Sequence, residues 1–343
     1  MADTIRVGIV GAGANTRRRH VPGLRAQPGV EIVAVVNRTR ASSERAAAEL
    51  GIPKVHESWE ALVDADEIDA VCIGAWPYLH APVTLAALAR GKHVLCEARM
   101  AMNLTEARAM LDASRRAPHL VAQLVPAPHT LPVDAALARL VAAGYLGQLL
   151  AVELQAAQGR FVDAAEPLHW RQDERLSGLN VLNMGIWYEA LMRWVGPAAR
   201  VMAMASIAVP ERRDADGTMR RVTVPDHVEI LATLAGGALA HLRFSAVTGL
   251  GPANEVWLFG TDGTVRLDVA TLEVRGGRRG DAALAPLPVE RGPGWRVEEE
   301  FVNAIRGRER VTRTSFEDGV RYMAFTEAVA RSAAEGRAVD VAA

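Results

Sequence analysis

Ile5-Arg-Val-Gly-Ile-Val-Gly-Ala-Gly-Ala-Asn-Thr16 decides how this chain is read. Ile5 to Val10 is a short apolar run and predicts a buried strand. It leads into Gly11-Ala12-Gly13, and a helix is expected from about Thr16. Strand, glycine loop and helix in that order suit a dinucleotide. Glycine permits the tight turn and a close approach of backbone to pyrophosphate, and the helix N-terminus offers unpaired N–H groups and partial positive charge. The loop residues expected against the phosphates are Gly11, Gly13, Ala14 and Asn15. Thr16 stands where the usual pattern has a third glycine, so the motif is imperfect.

Working outward, the first 125 or so residues alternate strand and helix. Strands are predicted at 5–10, 31–36, 70–74, 93–96 and 120–124. Ser42 is read as the cap of a helix ending at Gly51, and Asn103 with Glu106 as a capping box. Such alternation builds a parallel sheet through right-handed crossovers. After residue 125 the pattern changes. Helices are expected at 132–143 and 184–194, with a strand at 148–155 and a long irregular segment to about 177. Gly236-Gly237 and Asp262-Gly263 each join two strand-like runs and predict hairpins. Helices at 296–305 and 316–334 close the chain. The fold class is therefore α/β: an N-terminal Rossmann domain (1–125) and a C-terminal α/β domain (126–343) with a large open, mostly antiparallel sheet. The last helix is the element expected to pack back on the N-terminal domain.

The 343 residues carry 39 basic and 40 acidic side chains, and half are hydrophobic. That balance gives no pull toward nucleic acid or an anionic membrane. No apolar run approaches the roughly 18 residues of a membrane span, and the N-terminus lacks the pattern of a signal peptide. A cytoplasmic location is expected. Cys72 and Cys96 lie in apolar runs and are read as buried free thiols. No metal-ligand spacing is present.

Further candidates follow from position. The strand ending at Val36 is followed by Asn37 and Arg38, where an NAD site usually places an acid against the ribose. A hydrogen-bonding Asn37 beside Arg38 and Arg40 favours NADP, with NAD as the alternative. Ala75, Trp76, Tyr78 and His80 follow the strand 70–74, at the end of the sheet where ligands bind.

Several segments together resemble the glucose–fructose oxidoreductase, inositol dehydrogenase and rhizopine-catabolism family, Gfo/Idh/MocA. They are Gly11-Ala-Gly13 with His20-Val-Pro22, Pro77-Tyr-Leu-His80-Ala-Pro82, Gly91-Lys-His-Val-Leu-Cys-Glu97, Gly144-Tyr-Leu-Gly147, Trp170-Arg171 and Glu317-Asp-Gly319. The resemblance implies NAD(P) redox chemistry on a hydroxyl or carbonyl of a sugar, cyclitol or related small polar molecule. It also implies assembly, as a homodimer or homotetramer, through the C-terminal sheet. It places Glu97 in the cofactor site.

The departures bear on catalysis. The family's Glu-Lys-Pro reads Glu97-Ala98-Arg99 here, and alanine has no proton to give. An arginine stays protonated and shuttles protons poorly. The family's Asp-x-Gly-x-His aligns best with Asn183-Met-Gly185-Ile-Trp187, without acid or histidine. A rebuilt relay would draw on Tyr188, His169 and Arg99, with Arg171, Asp173, Trp187 and His129 on the substrate. Two alternatives keep the nucleotide site: redox-assisted elimination or glycoside cleavage without net redox change, and a dinucleotide-binding protein that has lost catalysis.

Overall fold

The computed structural model describes residues 4–128, 130–252 and 254–342. They gather into two units, Met1–Pro126 with Arg296–Val320, and Ala127–Trp295 with Arg321–Ala343.

The first unit is built on six strands: β1 (Ile5–Val10), β2 (Val30–Val36), β3 (Lys54–Val55), β4 (Ala70–Ile73), β5 (His93–Cys96) and β6 (Ala122–Leu124). Their order is β3-β2-β1-β4-β5-β6, and every pairing is parallel. Strands covered on both faces must be apolar throughout. Accordingly every residue of β4 is buried, as are the last four of β1. Gly8 makes room in β1 for a neighbour, since a Cβ there would lie 2.6 Å from the Leu62 side chain. β3 is only two residues long and its alternation is too short to read from sequence.

Capping fixes the helices. Thr39, extended at φ −130°, is the N-cap of the helix Arg40–Leu50, and its hydroxyl accepts the Ser42 N–H. Ser42 is thus the third helical residue of a capping box and not the cap itself. Asn103 accepts the Glu106 N–H at 2.9 Å and opens the helix Leu104–Arg116 as expected.

Arg296–Val320 returns to this unit. Its helix is Val297–Ile305, with Phe301 and Val302 fully buried, and it packs on the short helix Val21–Arg25. Only the first residues of the last helix, Phe316–Glu335, belong here; the rest belong to the second unit. The Glu317-Asp-Gly319 motif opens that helix. Asp318 and Ser315 exchange side-chain-to-backbone hydrogen bonds, and Gly319 leaves space for Met100, whose Sδ would be 2.4 Å from a Cβ.

The second unit carries β7 (Leu149–Ala157), β8 (Ala198–Ser206), β9 (Glu211–Arg213), β10 (Met219–Arg221), β11 (His227–Leu234), β12 (Leu239–Ser245), β13 (Glu255–Gly260), β14 (Gly263–Asp268), β15 (Val274–Arg278), β16 (Ala285–Pro286) and β17 (Val339–Asp340). β9 and β10 form a ribbon. The others make a nine-stranded sheet in the order β16-β15-β14-β13-β7-β12-β11-β8-β17. It is antiparallel except where β7 runs parallel to β12. Both glycine-marked hairpins are present, β11–β12 and β13–β14. Gly237 sits at φ +89°, where L side chains are strained. Burial alternates along β11 and β12, so one face of the sheet is core. The other exposes Met202, Met204, Leu231 and Leu239.

Candidate active site

The glycine loop lies at the carboxyl end of β1. There β2 pairs on one side and β4 on the other, the switch point where open α/β sheets bind ligands. Gly11 has φ +89°, and a Cβ there would lie 2.5 Å from the Ala75 amide nitrogen, so the close approach of the two loops requires glycine. The missing third glycine has a structural answer. Thr16 is 1 % exposed and donates its hydroxyl to the Gly11 carbonyl at 3.1 Å. It fits because Gly74 has no side chain: a Cβ there would sit 2.0 Å from Thr16 Oγ1. Clearance that the usual motif places on the helix is moved here to the end of β4.

A cavity of about 510 Å³ opens beside this loop. Among the expected residues it brings together Gly11, Gly13, Asn37, Arg38, Ala75, Trp76 and Tyr78. Asn37 braces the loop: its Oδ1 accepts the Ala12 N–H at 2.7 Å and its Nδ2 donates to the Ser42 carbonyl. Arg38 is exposed at the cavity, its guanidinium carbon 5.5 Å from the Trp76 ring centroid. Arg40 is paired with Glu44 on the next helix turn. Sequence reasoning missed Ser42, Glu57, Ser58 and Trp59 as cavity residues. The last three follow the short β3; Ser58 caps the helix Trp59–Asp64 and was the one legible signal.

Glu97 and His80 are placed differently from expectation. One Glu97 oxygen accepts from Asn15 and His20, and the other accepts the Ala98 N–H. Burial disfavours the charged carboxylate, but the His20 and Asn15 hydrogen bonds hold it below the usual range. His80 is fully buried, with Nδ1 2.8 Å from the Arg99 carbonyl oxygen and Nε2 3.0 Å from that of Ala75. Burial pushes its pKa down. Both side chains therefore bind the ends of β4 and β5 to their surroundings and do not line the cavity. Nor does Ala14, whose carbonyl accepts from Arg18. The peptide joining Ala98 to Arg99 is cis, and Arg99 is buried.

In the second unit Tyr188 and His169 have different surroundings. The helix Met184–Val195 is buried on most sides, Trp187 and Tyr188 included. The Tyr188 hydroxyl accepts the Ala198 N–H at 2.7 Å, and its ring stacks on Phe325 at 3.6 Å. Burial pushes the phenol up to about 12. A core tyrosine held in this way is no acid/base near neutral pH, which corrects its assignment. Trp187 is likewise a core side chain and not a substrate wall. Glu189 forms an ion pair with Arg193, which also meets Asp134 at 3.1 Å.

His169 is exposed at the start of a short 3-10 turn, Trp170–Gln172, and its Nδ1 accepts the Arg171 N–H. Burial of part of the ring, then Arg171, lowers its pKa. Asp173, expected on the substrate, forms a two-pronged ion pair with Arg175, whose hydrogen bonds hold the carboxyl below its usual range. Arg171 lies over the Trp170 ring at 4.2 Å. His129 lies outside the described residues.

Residues 5–123 match the Gfo/Idh/MocA description "Oxidoreductase family, NAD-binding Rossmann fold", and residues 135–266 match the Gfo/Idh/MocA C-terminal domain. The chain belongs to the Gfo/Idh/MocA oxidoreductase family. Among its relatives is a dTDP-3,4-didehydro-2,6-dideoxy-alpha-D-glucose 3-reductase of Streptomyces antibioticus, 31% identical over 78% of this chain and 76% of the relative. A levoglucosan dehydrogenase of Pseudarthrobacter phenanthrenivorans is 27% identical over 92% and 90%. The same fold is seen in an oxidoreductase domain protein from Kribbella flavida, with TM-score 0.86 at 22% identity, covering 99% of this chain and 100% of the other. It is also seen in a levoglucosan dehydrogenase in complex with NADH and levoglucosan, with TM-score 0.86 at 23% identity and the same coverage.

This Gfo/Idh/MocA chain keeps the fold of its family and the cradle at the switch point. Position 98, where the family resemblance calls for lysine, is alanine. The two cysteines are free and buried, and burial raises both thiols, so neither is a reactive thiolate. Among the described residues no His, Cys, Asp or Glu cluster could hold a metal ion, and no helix is long and apolar enough to cross a membrane.

Proposed function

We propose that the protein is an NAD(P)-dependent oxidoreductase acting on a hydroxyl or carbonyl of a sugar, cyclitol or related small polar molecule. The observation that carries this reading is the cavity at the switch point, with Gly11 and Gly74 stripped of side chains where the two loops approach. A bound nicotinamide dinucleotide would supply hydride transfer. Gly11 and Gly13 let backbone amides reach its pyrophosphate, and Trp76 and Tyr78 offer ring faces to its flatter parts. The relatives, a sugar-nucleotide reductase and a levoglucosan dehydrogenase, support a carbohydrate-like substrate.

NADP is the preferred form in this reading. An exposed Arg38 follows β2 where NAD sites usually carry an acid, and a guanidinium can grip a 2′-phosphate. Glu57 on the same cavity works in the opposite direction. A titration with NADPH and NADH decides it. Arg38→Ala should weaken NADPH at least tenfold while leaving NADH within about twofold; equal losses would remove the preference.

The proton that accompanies hydride transfer needs a carrier other than residue 98. His169 is the side chain this reading retains, with Arg171 beside it for the substrate. Its Nδ1 is held by the Arg171 amide, so the neutral ring carries its proton on Nε2, and accepting a second proton, on Nδ1, requires release of that amide. His169→Asn should lower kcat by about 10²-fold, the scale of general acid–base catalysis. Unchanged turnover would remove His169 from the relay.

Ala98 and the buried Tyr188 hydroxyl favour a second reading, a protein that binds dinucleotide without turnover. A panel of polyols, sugars and lactones, followed for redox change and for product, separates the two. Tight binding with no reaction supports the second. Assembly through the C-terminal sheet remains part of the proposal. Its exposed Met202, Met204, Leu231 and Leu239 support it, and light scattering tests it.

A further inference from the structure

Behind the glycine loop lies a cluster that the cavity does not include. After Asn15 the chain makes one wide turn, Thr16–His20, of π-helical form. This turns His20 inward, where it is fully buried. Its Nδ1 lies 2.5 Å from Glu298 Oε1, on the returning helix Val297–Ile305, and its Nε2 lies 2.8 Å from Glu97 Oε1, just past β5. The Asn15 amide donates to the same Glu97 oxygen. Gly23 admits the arrangement: a Cβ there would lie 2.5 Å from Glu298 Oε2. Two carboxylates on opposite edges of one ring are both met as acceptors when both ring nitrogens donate, as in the imidazolium.

We propose that His20 is a positioning residue for the dinucleotide. Clasped as an imidazolium between Glu97 and Glu298, it holds Asn15 and the first turn after the glycine loop in place, and it offsets carboxylate charge that would otherwise oppose the incoming pyrophosphate. The proposal rests on the reading that this cavity takes a dinucleotide. Burial opposes charge on the ring, but the hydrogen bonds to Glu298 and Glu97 outweigh it and push His20 up to about 9. Glu298 from the returning helix and Glu97 from the end of β5 both face the ring. Burial, and after it both carboxylates, pushes the Cys72 thiol of β4 up. Burial pushes His80 down, against the pull of Glu97. Loss of the His20 proton removes a positive charge from between two carboxylates, beneath a helix start that must accept an anion.

The test is the affinity of the full-length protein for NADH and NADPH between pH 6 and 10, with adenosine as a probe lacking pyrophosphate. The dinucleotides' diphosphate does not titrate in the upper half of that range, so a change there belongs to the protein. Dinucleotide affinity should hold to about pH 8 and fall about tenfold by pH 10, while adenosine binding stays flat. His20→Gln should weaken the dinucleotide about tenfold at pH 7 and flatten its profile. Glu298→Gln removes one carboxylate from the imidazolium and should move the midpoint to lower pH. It carries the test if the His20 variant does not fold. A folded His20→Gln protein with wild-type affinity and profile overturns the proposal, and so does a Glu298→Gln midpoint that does not move. Wild-type protein that binds neither dinucleotide overturns the cofactor reading itself, a separate outcome.

Discussion

At the residue scale, the loop turns on Gly11. Its φ of +89° and the 2.5 Å clearance to the Ala75 backbone leave no room for a methyl group. Gly11→Ala should cost about 1–3 kcal/mol, the range for a strained backbone residue, and should abolish dinucleotide binding; urea melts and a fluorescence titration measure the two. Tyr188 gives the opposite kind of test. If its hydroxyl only satisfies the Ala198 amide, Tyr188→Phe leaves that buried N–H unpaired and costs about 1–3 kcal/mol. The pH profile of any turnover should not change. A lost alkaline limb in that profile would restore Tyr188 to the relay. Both residues drew notice in the sequence, but for different reasons. Gly11 was legible because glycine between a strand and a helix has few other uses. The burial of Tyr188 was not legible, because one aromatic on a helix says nothing about which way the helix faces.

At the element scale, the first unit is completed by a segment far from it in sequence. Helix Val297–Ile305 brings Glu298 to His20 and Glu300 to Gln123, whose side chain donates to it at 3.1 Å. It also buries Phe301 and Val302, each worth roughly 1.5–3 kcal/mol by burial. A fragment ending at Pro126 should therefore be much less stable than the whole chain and expose apolar surface. Thermal melts and dye binding measure this, and a fragment that melts like the intact protein would show the returning helix to be dispensable. Sequence periodicity located this helix to within a residue. It could not say which unit the helix completes, because amphipathicity shows that a face is buried but not against what.

At the scale of the whole molecule, the His20 clasp links stability to pH. Its folded pKa, about 9, exceeds the ordinary histidine value near 6.5, so the folded state holds the proton more tightly. The stabilisation is full below pH 6.5, declines from there to about 9, and is absent above. It amounts to about 3 kcal/mol on the linkage relation. Glu97, held low by His20 and Asn15, acts at the other end, and its contribution is lost as pH falls through its depressed pKa. Denaturant midpoints at pH 6, 8 and 10 should fall in that order. His20→Gln should flatten the series, and a flat wild-type series would count against the clasp.

The parallel sheet, the glycine loop, both hairpins and the family are legible in the order of residues alone. These follow from period, glycine placement and short motifs, which act over neighbouring residues. That order also shows that Ala98 has no proton to give. The folded chain was needed to show that Gly74 replaces the missing third glycine, that Glu57 and Trp59 share a cavity with Arg38, and that Asp173 pairs with Arg175. It alone set His20 between carboxylates 77 and 278 residues away. Clearance, burial and charge pairing depend on which segments meet in space, and no local pattern encodes that meeting.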